Sequence, residues 1–157
     1  MIISASGMAE FISFSIGADR YGVDIMAVRE IRSWTDVARL PNQPEYMRGV
    51  LNLRGAMVPI VDLRCRFGQG VTETTAQHVV IVVQIGNRQV GMLCDRVLDI
   101  VAFEAKKIQP VPQVAKHAAG QTLAGLIAAD DGMIAIIELA NLVSASDVAV
   151  TSPAQAA

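Results

Sequence analysis

The sequence predicts an all-β protein made of two small, similar barrels packed side by side, with only short helical turns. Three observations favour this fold class. Hydrophobic residues make up 52% of the 157 residues and charged residues only 18%, which is typical of a folded rather than a disordered chain. Val and Ile are frequent in the apolar runs, and β-branched side chains suit a pleated sheet better than a helix. The third observation is an internal repeat.

Two blocks of sequence occur twice without gaps. Residues 16–31, IGADRYGVDIMAVREI, align with residues 85–100, IGNRQVGMLCDRVLDI. Residues 49–63, GVLNLRGAMVPIVDL, align with residues 125–139, GLIAADDGMIAIIEL. Matching glycines in two collinear blocks indicate a duplication rather than a chance similarity of apolar segments. The chain is therefore predicted to contain two copies of one structural unit.

Each unit is predicted to fold as an SH3-like barrel. Five segments of the first copy are predicted to be extended: 11–15, 21–25, 28–31, 50–53 and 57–61. Gly17 can supply the positive φ of the first hairpin turn, Arg54–Ala56 is a compact turn, and Asp62–Phe67 is predicted to form one or two helical turns. Five strands are too few for an open sheet with protected edges, and closure into a barrel removes the edges.

The domain is predicted to span residues 10–143. The first barrel is placed at about 15–83 and the second at about 84–143, with the N-terminal strand 10–14 as a candidate to complete the second. Two barrels of this size cannot each bury a large core, so they are expected to share an interface with a groove between them. Both ends, residues 1–9 and 144–157, are predicted to be flexible.

Composition and motifs argue against several classes of function. The net charge is −2 without a basic stripe, so nucleic-acid binding is not predicted. No apolar run is long enough to cross a bilayer, and no secretory signal opens the chain. We therefore expect a cytoplasmic protein without membrane insertion, with Cys65 and Cys94 as reduced thiols. Because metal-ligand spacings, phosphate-binding loops and nucleophile motifs are absent from the sequence, no catalytic residue, metal or cofactor is predicted.

Three segments resemble the CheW family, the coupling proteins of bacterial chemotaxis: YGVDIMAVREIR (21–32), LPNQPEYMRGVLNLRGAMVPIVDLR (40–64) and GMLCDRVLDIVAF (91–103). The resemblance runs from about residue 10 to about residue 143. It implies two five-stranded barrels and a stand-alone, non-enzymatic adaptor. Such an adaptor bridges the cytoplasmic tip of a chemoreceptor and the regulatory domain of the histidine kinase CheA. It is cytoplasmic and is recruited to membrane-associated receptor arrays.

The resemblance also indicates a receptor-binding surface made of Val28, Glu30, Arg54 and Val97. The Arg54 guanidinium can bind carbonyls or carboxylates of a docked helical hairpin, and the alternative is a solvated turn arginine. Val28 and Glu30 share one face of an extended segment, and the alternative is a core valine beside a solvated glutamate. Val97 is the repeat equivalent of Val28, so a groove between the barrels could take one valine from each copy. Gly49 is predicted to shape a kinase-binding surface.

Asp62 and Glu138 are equivalent acids, and duplication favours helix caps over an acid–base pair. The N-L-R-G run occurs in the first copy only, because the second has Ala128–Asp131 there, so the two halves are not expected to be equivalent. Two other functions remain open. One is coupling in pili-based motility or another receptor–kinase pathway, and the other is a small-molecule-binding barrel that uses the groove as a pocket.

Overall fold

The computed structural model describes residues 7–112, 122–130 and 132–142. Within these residues the chain forms ten strands and one short α-helix, α1 (Leu63–Arg66). The strands are β1 (Met8–Ile16), β2 (Asp19–Asp24), β3 (Val28–Ser33), β4 (Met47–Leu53), β5 (Ala56–Asp62), β6 (Val79–Ile85), β7 (Arg88–Cys94), β8 (Arg96–Glu104), β9 (Leu123–Ala129) and β10 (Gly132–Ile137).

The strands form two five-stranded sheets, each of which closes into a barrel. The β1 barrel has the strand order β8-β1-β2-β10-β9, and the β6 barrel has the order β3-β6-β7-β5-β4. Ala38 closes the β6 barrel through two backbone hydrogen bonds with Val50, and Gln109 closes the β1 barrel in the same way with Leu126. The predicted fold, two SH3-like five-stranded barrels with short helical turns, is confirmed.

The two copies of the repeat exchange their first hairpins. β1 and β2 of the first copy join β8, β9 and β10 of the second, while β6 and β7 join β3, β4 and β5. The predicted barrel ranges 15–83 and 84–143 therefore do not correspond to the sheets, and residues 10–14 enter the β1 barrel together with all of β2. The physical reason is that β3 pairs with β6 and β8 pairs with β1, so the third strand of each copy pairs across to the other.

Two equivalent glycines accommodate this exchange. Gly22 in β2 pairs with Ile136 in β10, and Gly91 in β7 pairs with Ile60 in β5. A Cβ atom at residue 22 would lie 3.0 Å from Ile136 Cδ1, and one at residue 91 would lie 2.5 Å from Ile60 Cδ1. In each barrel, therefore, a glycine of one copy leaves the space that an isoleucine of the other copy fills.

Side-chain alternation along the strands divides the apolar core into three clusters. In β6, Val80 and Val82 lie in the interior of the β6 barrel, whereas Ile81 and Val83 lie in a cluster shared by both barrels. The β1 barrel has its own interior cluster of Ala9, Phe11, Ile127, Ile134 and Ile136. The shared cluster has the most residues of the three, so the principal core of this protein is the interface between its barrels.

The N-terminal end of the domain lies earlier than predicted. Met8 and Ala9 belong to β1, where they pair with Glu104 and Phe103 of β8, and Ala9 is fully buried. The prediction that residues 1–9 are flexible is therefore wrong for these two. The predicted flexible segment 144–157 lies outside the described residues.

Candidate protein-docking site

Strand β3 carries two of the predicted site residues at an edge of the β6 barrel. Along this strand Val28, Glu30 and Arg32 are half-buried and alternate with exposed residues. Val28 packs against the core shared by the barrels. The Glu30 side chain is 22% exposed, so its carboxylate remains accessible at the barrel surface. Val28 therefore exposes a small apolar surface at the edge of the shared core, and Glu30 places a carboxylate beside it.

The turn between β4 and β5 presents the third predicted residue. Arg54 and Gly55 have φ angles of +52° and +88°, and two consecutive positive φ angles are typical of a type I′ hairpin turn. The Asn52 Oδ1 atom accepts a hydrogen bond of 2.9 Å from the Gly55 N–H, which fixes the turn from within. The turn projects Arg54 outwards, and its side chain is 75% exposed.

Arg54 of the turn between β4 and β5 contacts Glu30 of β3. The Arg54 Nη2 group donates to Glu30 Oε2, and the Arg32 Nη1 group donates to Glu30 Oε1 at 3.0 Å. The hydrogen bonds from Arg32 and Arg54 hold the pKa of Glu30 below its ordinary value. Arg54 is thus an exposed but oriented cation rather than only a solvated turn residue.

Val97 lies on β8, in the other barrel. It pairs with Phe14 of β1 and is half-buried against the same shared core that Val28 contacts. The structure therefore brings Val28, Glu30 and Arg54 into one site on the β6 barrel and connects Val97 to them through the core between the barrels.

Sequence reasoning missed two residues beside this site. Arg32 follows Glu30 by two positions, so the strand period that paired Val28 with Glu30 would also have found it. Met26 lies on the 3₁₀ turn Ile25–Ala27 that leads into β3, and it is 56% exposed. Asp24 caps this turn by accepting a hydrogen bond from the Met26 N–H. The sequence carries no signal for the exposure of Met26, because an apolar residue in an apolar run is usually buried.

Gly49, the predicted kinase-binding residue, is buried in β4. Its φ is +145°, and a Cβ atom there would lie 2.2 Å from the carbonyl oxygen of Ala38. The two backbones come this close because Ala38 pairs with Val50, the next residue after Gly49, where the β6 barrel closes. Any effect of Gly49 on a partner would therefore act through the shape of the backbone, and its role in kinase binding stays a prediction.

The equivalent acids Asp62 and Glu138 have different surroundings. The fully buried Asp62 caps α1 by accepting from the Cys65 N–H at 3.3 Å, and it also accepts from Thr72 N–H at 2.8 Å and Thr72 Oγ1 at 2.6 Å. Glu138 precedes the 3₁₀ turn Leu139–Asn141 and makes no capping hydrogen bond with its side chain. The capping prediction is confirmed for Asp62 and wrong for Glu138, because a longer glutamate side chain is a poorer N-cap.

The two cysteine side chains and the metal-binding potential of the described residues complete the chemistry of the structure. Cys65 and Cys94 are free, and burial raises the pKa of Cys94 to about 12. In the described part of the chain, no three His, Cys, Asp or Glu side chains are grouped to hold a metal ion. Over the same residues, no helix combines the length and apolar character that a membrane span requires.

Comparison with known proteins agrees with this architecture. The family model described as the CheW-like domain matches residues 10–147. The probable chemotaxis protein CheW of Rhizobium etli is 44% identical over 141 residues, which cover 90% of this chain and 91% of the relative. The chemotaxis protein CheW of Rhizobium meliloti is 43% identical over 134 residues, covering 85% of this chain and 86% of the relative.

A solved structure extends the agreement to the fold. The crystal structure of the scaffolding protein TtCheW from Thermoanaerobacter tengcongensis matches with a TM-score of 0.81 and 30% sequence identity. The match covers 88% of this chain and 94% of that one. Because sequence and fold agree over nearly the whole length of these proteins, the chain belongs to the family of CheW-like domain proteins.

Proposed function

We propose that this chain is a chemotaxis coupling adaptor that binds the cytoplasmic tip of a chemoreceptor and the regulatory domain of the histidine kinase CheA at the same time. Its family membership and its likeness to a scaffolding protein support a coupling role. The observation that carries the receptor half of the proposal is the Glu30–Arg54 pair beside Val28. This proposal places the adaptor in the cytoplasm, recruited to receptor arrays.

The site suits the end of a helical hairpin. The Arg54 guanidinium has five N–H donors in a planar fork, and a type I′ turn and Glu30 orient it before a partner arrives. A receptor carboxylate or carbonyl can accept from this fork. Val28 and Met26 supply apolar surface next to it on the β6 barrel, and Val97 supplies it on the β1 barrel. Orientation in advance reduces the entropy lost when the partner binds.

Coupling by this adaptor is a matter of binding alone. A conformational change in the receptor tip alters its contacts with the adaptor, and differential contacts shift the equilibrium of the kinase. Many such complexes in one array raise the effective concentration of each weak contact. The kinase-binding surface is proposed to lie on the β6 barrel, at strand ends and loops, with Gly49 shaping its backbone.

Replacing Arg54 by histidine tests the receptor half of the proposal. We expect Arg54→His to weaken binding of a receptor-tip fragment about tenfold, because a single imidazole cannot replace the planar fork. Binding to the CheA regulatory domain and the melting temperature are expected to change little. Titration calorimetry with each partner separately, followed by co-sedimentation with receptor arrays with and without the kinase, measures these quantities.

Arg88→His is the matched control, because Arg88 is an exposed arginine beside another hairpin turn. It should leave the affinity for the receptor-tip fragment and the melting temperature unchanged. If Arg54→His instead weakened both interactions equally and lowered the melting temperature, Arg54 would be a structural residue. If the wild-type chain bound neither partner, the coupling proposal itself would be wrong.

A further inference from the structure

Asp95 lies where the chain crosses from one barrel to the other. It is the single residue between β7 of the β6 barrel and β8 of the β1 barrel. Its backbone N–H donates to the carbonyl oxygen of Ser15 at 3.0 Å, and its carboxylate accepts a hydrogen bond of 2.7 Å from the N–H of Gly17. Both bonds attach the crossover to the first hairpin of the β1 barrel.

The same carboxylate also contacts the β6 barrel. Arg64 of α1 donates from Nη2 to both Asp95 oxygens, at 2.9 Å and 2.7 Å. His78, which precedes β6, places Nε2 at 3.4 Å from Asp95 Oδ1. The three side chains are only 25%, 15% and 27% exposed for Arg64, His78 and Asp95 respectively, so water screens them less than it screens a surface ion pair. One carboxylate therefore joins segments of both barrels.

The imidazole of His78 faces this carboxylate with its Nε2 atom. Its Nδ1 atom accepts a hydrogen bond of 3.0 Å from the backbone N–H of Thr75. In the neutral ring the proton therefore resides on Nε2, the nitrogen that faces Asp95. The Asp95 carboxylate thus accepts hydrogen bonds from Gly17 and Arg64, and the Nε2 atom of His78 lies close to it.

The duplication alone does not account for this cluster. The residue equivalent to Asp95 in the first copy is Met26, and the residue equivalent to Arg64 in the second copy is Ala140. Neither side chain can carry a charge, so the other crossover, from β2 to β3, cannot repeat the arrangement. The cluster therefore distinguishes the crossover at Asp95 from the crossover at Met26.

We infer that Asp95, together with Arg64 and His78, is a latch that fixes the β1 barrel on the β6 barrel and thereby positions Val97 relative to Val28. Val97 follows Asp95 by two residues on β8, whereas Val28 lies on β3 of the other barrel. Asp95 is in this sense a positioning residue for the docking site. The latch follows from the contacts alone, and only its effect on receptor binding rests on the proposed function.

The latch is also expected to depend on pH. Burial raises the pKa of Asp95, but the hydrogen bonds from the Gly17 N–H and from Arg64 outweigh burial and hold the pKa below its ordinary value. The ionised form is thus favoured by folding, so its stabilising effect is complete at neutral pH and is lost as the pH falls through the folded-state pKa. Arg64 from α1 and His78 before β6 are the charged or titratable groups that act on this carboxylate.

The variant Asp95→Asn tests the latch against Asp36→Asn, which removes the charge of an exposed aspartate between β3 and β4. The protection factors for amide hydrogen exchange at residues 17 and 95 are expected to fall about tenfold at neutral pH in the first variant only. The melting temperature should fall in the same variant, and this difference from wild type should narrow as the pH is lowered towards 3. A receptor-tip fragment should bind more weakly to Asp95→Asn than to Asp36→Asn.

Arg64→Met provides a second variant should Asp95→Asn fail to fold, because it removes both hydrogen bonds that Nη2 donates to Asp95 and keeps an unbranched side chain. Protection factors at residues 17 and 95 that match the control would overturn the latch. Faster exchange with unchanged receptor affinity would overturn the positioning of Val97, and so would weaker binding without faster exchange. If the wild-type chain did not bind the receptor fragment, the proposed function would fail while the exchange comparison still decided the latch.

Discussion

Replacing Gly49 by alanine is expected to lower the free energy of unfolding by about 3 kcal/mol, the largest loss that we predict for adding one methyl group. The added Cβ atom would lie 2.2 Å from the Ala38 carbonyl oxygen, and a backbone oxygen cannot rotate away as the end of a side chain can. The same carbonyl accepts the Val50 N–H at 2.8 Å, so a shift of Ala38 would break one of the two hydrogen bonds that close the β6 barrel. Urea denaturation measures the loss as a lower midpoint.

Gly55→Ala is the matched control for this prediction. Gly55 also has a positive φ, +88°, but a Cβ atom there would meet no other atom within 4 Å. Only the conformational cost of about 1 kcal/mol is therefore expected. Equal losses in the two variants would mean that backbone strain, and not the contact with Ala38, accounts for glycine at residue 49.

Replacing Asp62 by asparagine is expected to cost about 2–3 kcal/mol of stability. The buried carboxylate accepts hydrogen bonds from Cys65 N–H and from two donors of Thr72, and Arg48 Nη1 lies 3.8 Å away. An amide has one acceptor oxygen, so its NH₂ group would face a donor and the charge opposite Arg48 would be lost. Thermal unfolding followed by circular dichroism measures the change.

Glu138→Gln is the corresponding change in the second copy. The backbone there repeats the first copy closely, since Glu138 N–H donates to Thr122 O at 2.7 Å as Asp62 N–H does to Tyr46 O at 2.7 Å. Because the Glu138 side chain does not cap its turn, we expect a change within about 0.5 kcal/mol. A loss as large as that of Asp62→Asn would contradict the distinction between the two acids.

Local signals in the sequence predicted most of the architecture. The alternation of apolar residues located the strands, Gly17 has the predicted positive φ of +59°, and Asp62 caps α1. The exchange of hairpins was not predicted, because a repeat identifies the duplicated unit but not which copy supplies the partner strand. Gly22 pairs with Ile136, which lies more than a hundred positions away. The same hydrogen bonds and side-chain contacts could form between Gly22 and Ile60 of its own copy, so the sequence does not favour one pairing over the other.

Part of the candidate site was also predictable from the sequence. Strand period placed Val28 with Glu30, and the resemblance of the N-L-R-G run to its family added Arg54. The Asp95 latch was not found, because Gly17, Arg64, His78 and Asp95 come from four separate segments and share no spacing. A cluster of residues that only the tertiary fold brings together shows no regular spacing in a single sequence.

The exchanged hairpins also bear on how such a protein could have arisen. A polypeptide with one repeat would hold one hairpin and three further strands, and in the exchanged arrangement these two parts do not pair with each other. Two such polypeptides could complete both barrels by trading hairpins, as in a domain-swapped homodimer. Fusion of the two genes would keep every strand pairing and make it intramolecular, which removes the dependence of folding on protein concentration. The two sequences would then be free to diverge, so that one turn could keep Arg54 while its counterpart became acidic at Asp130.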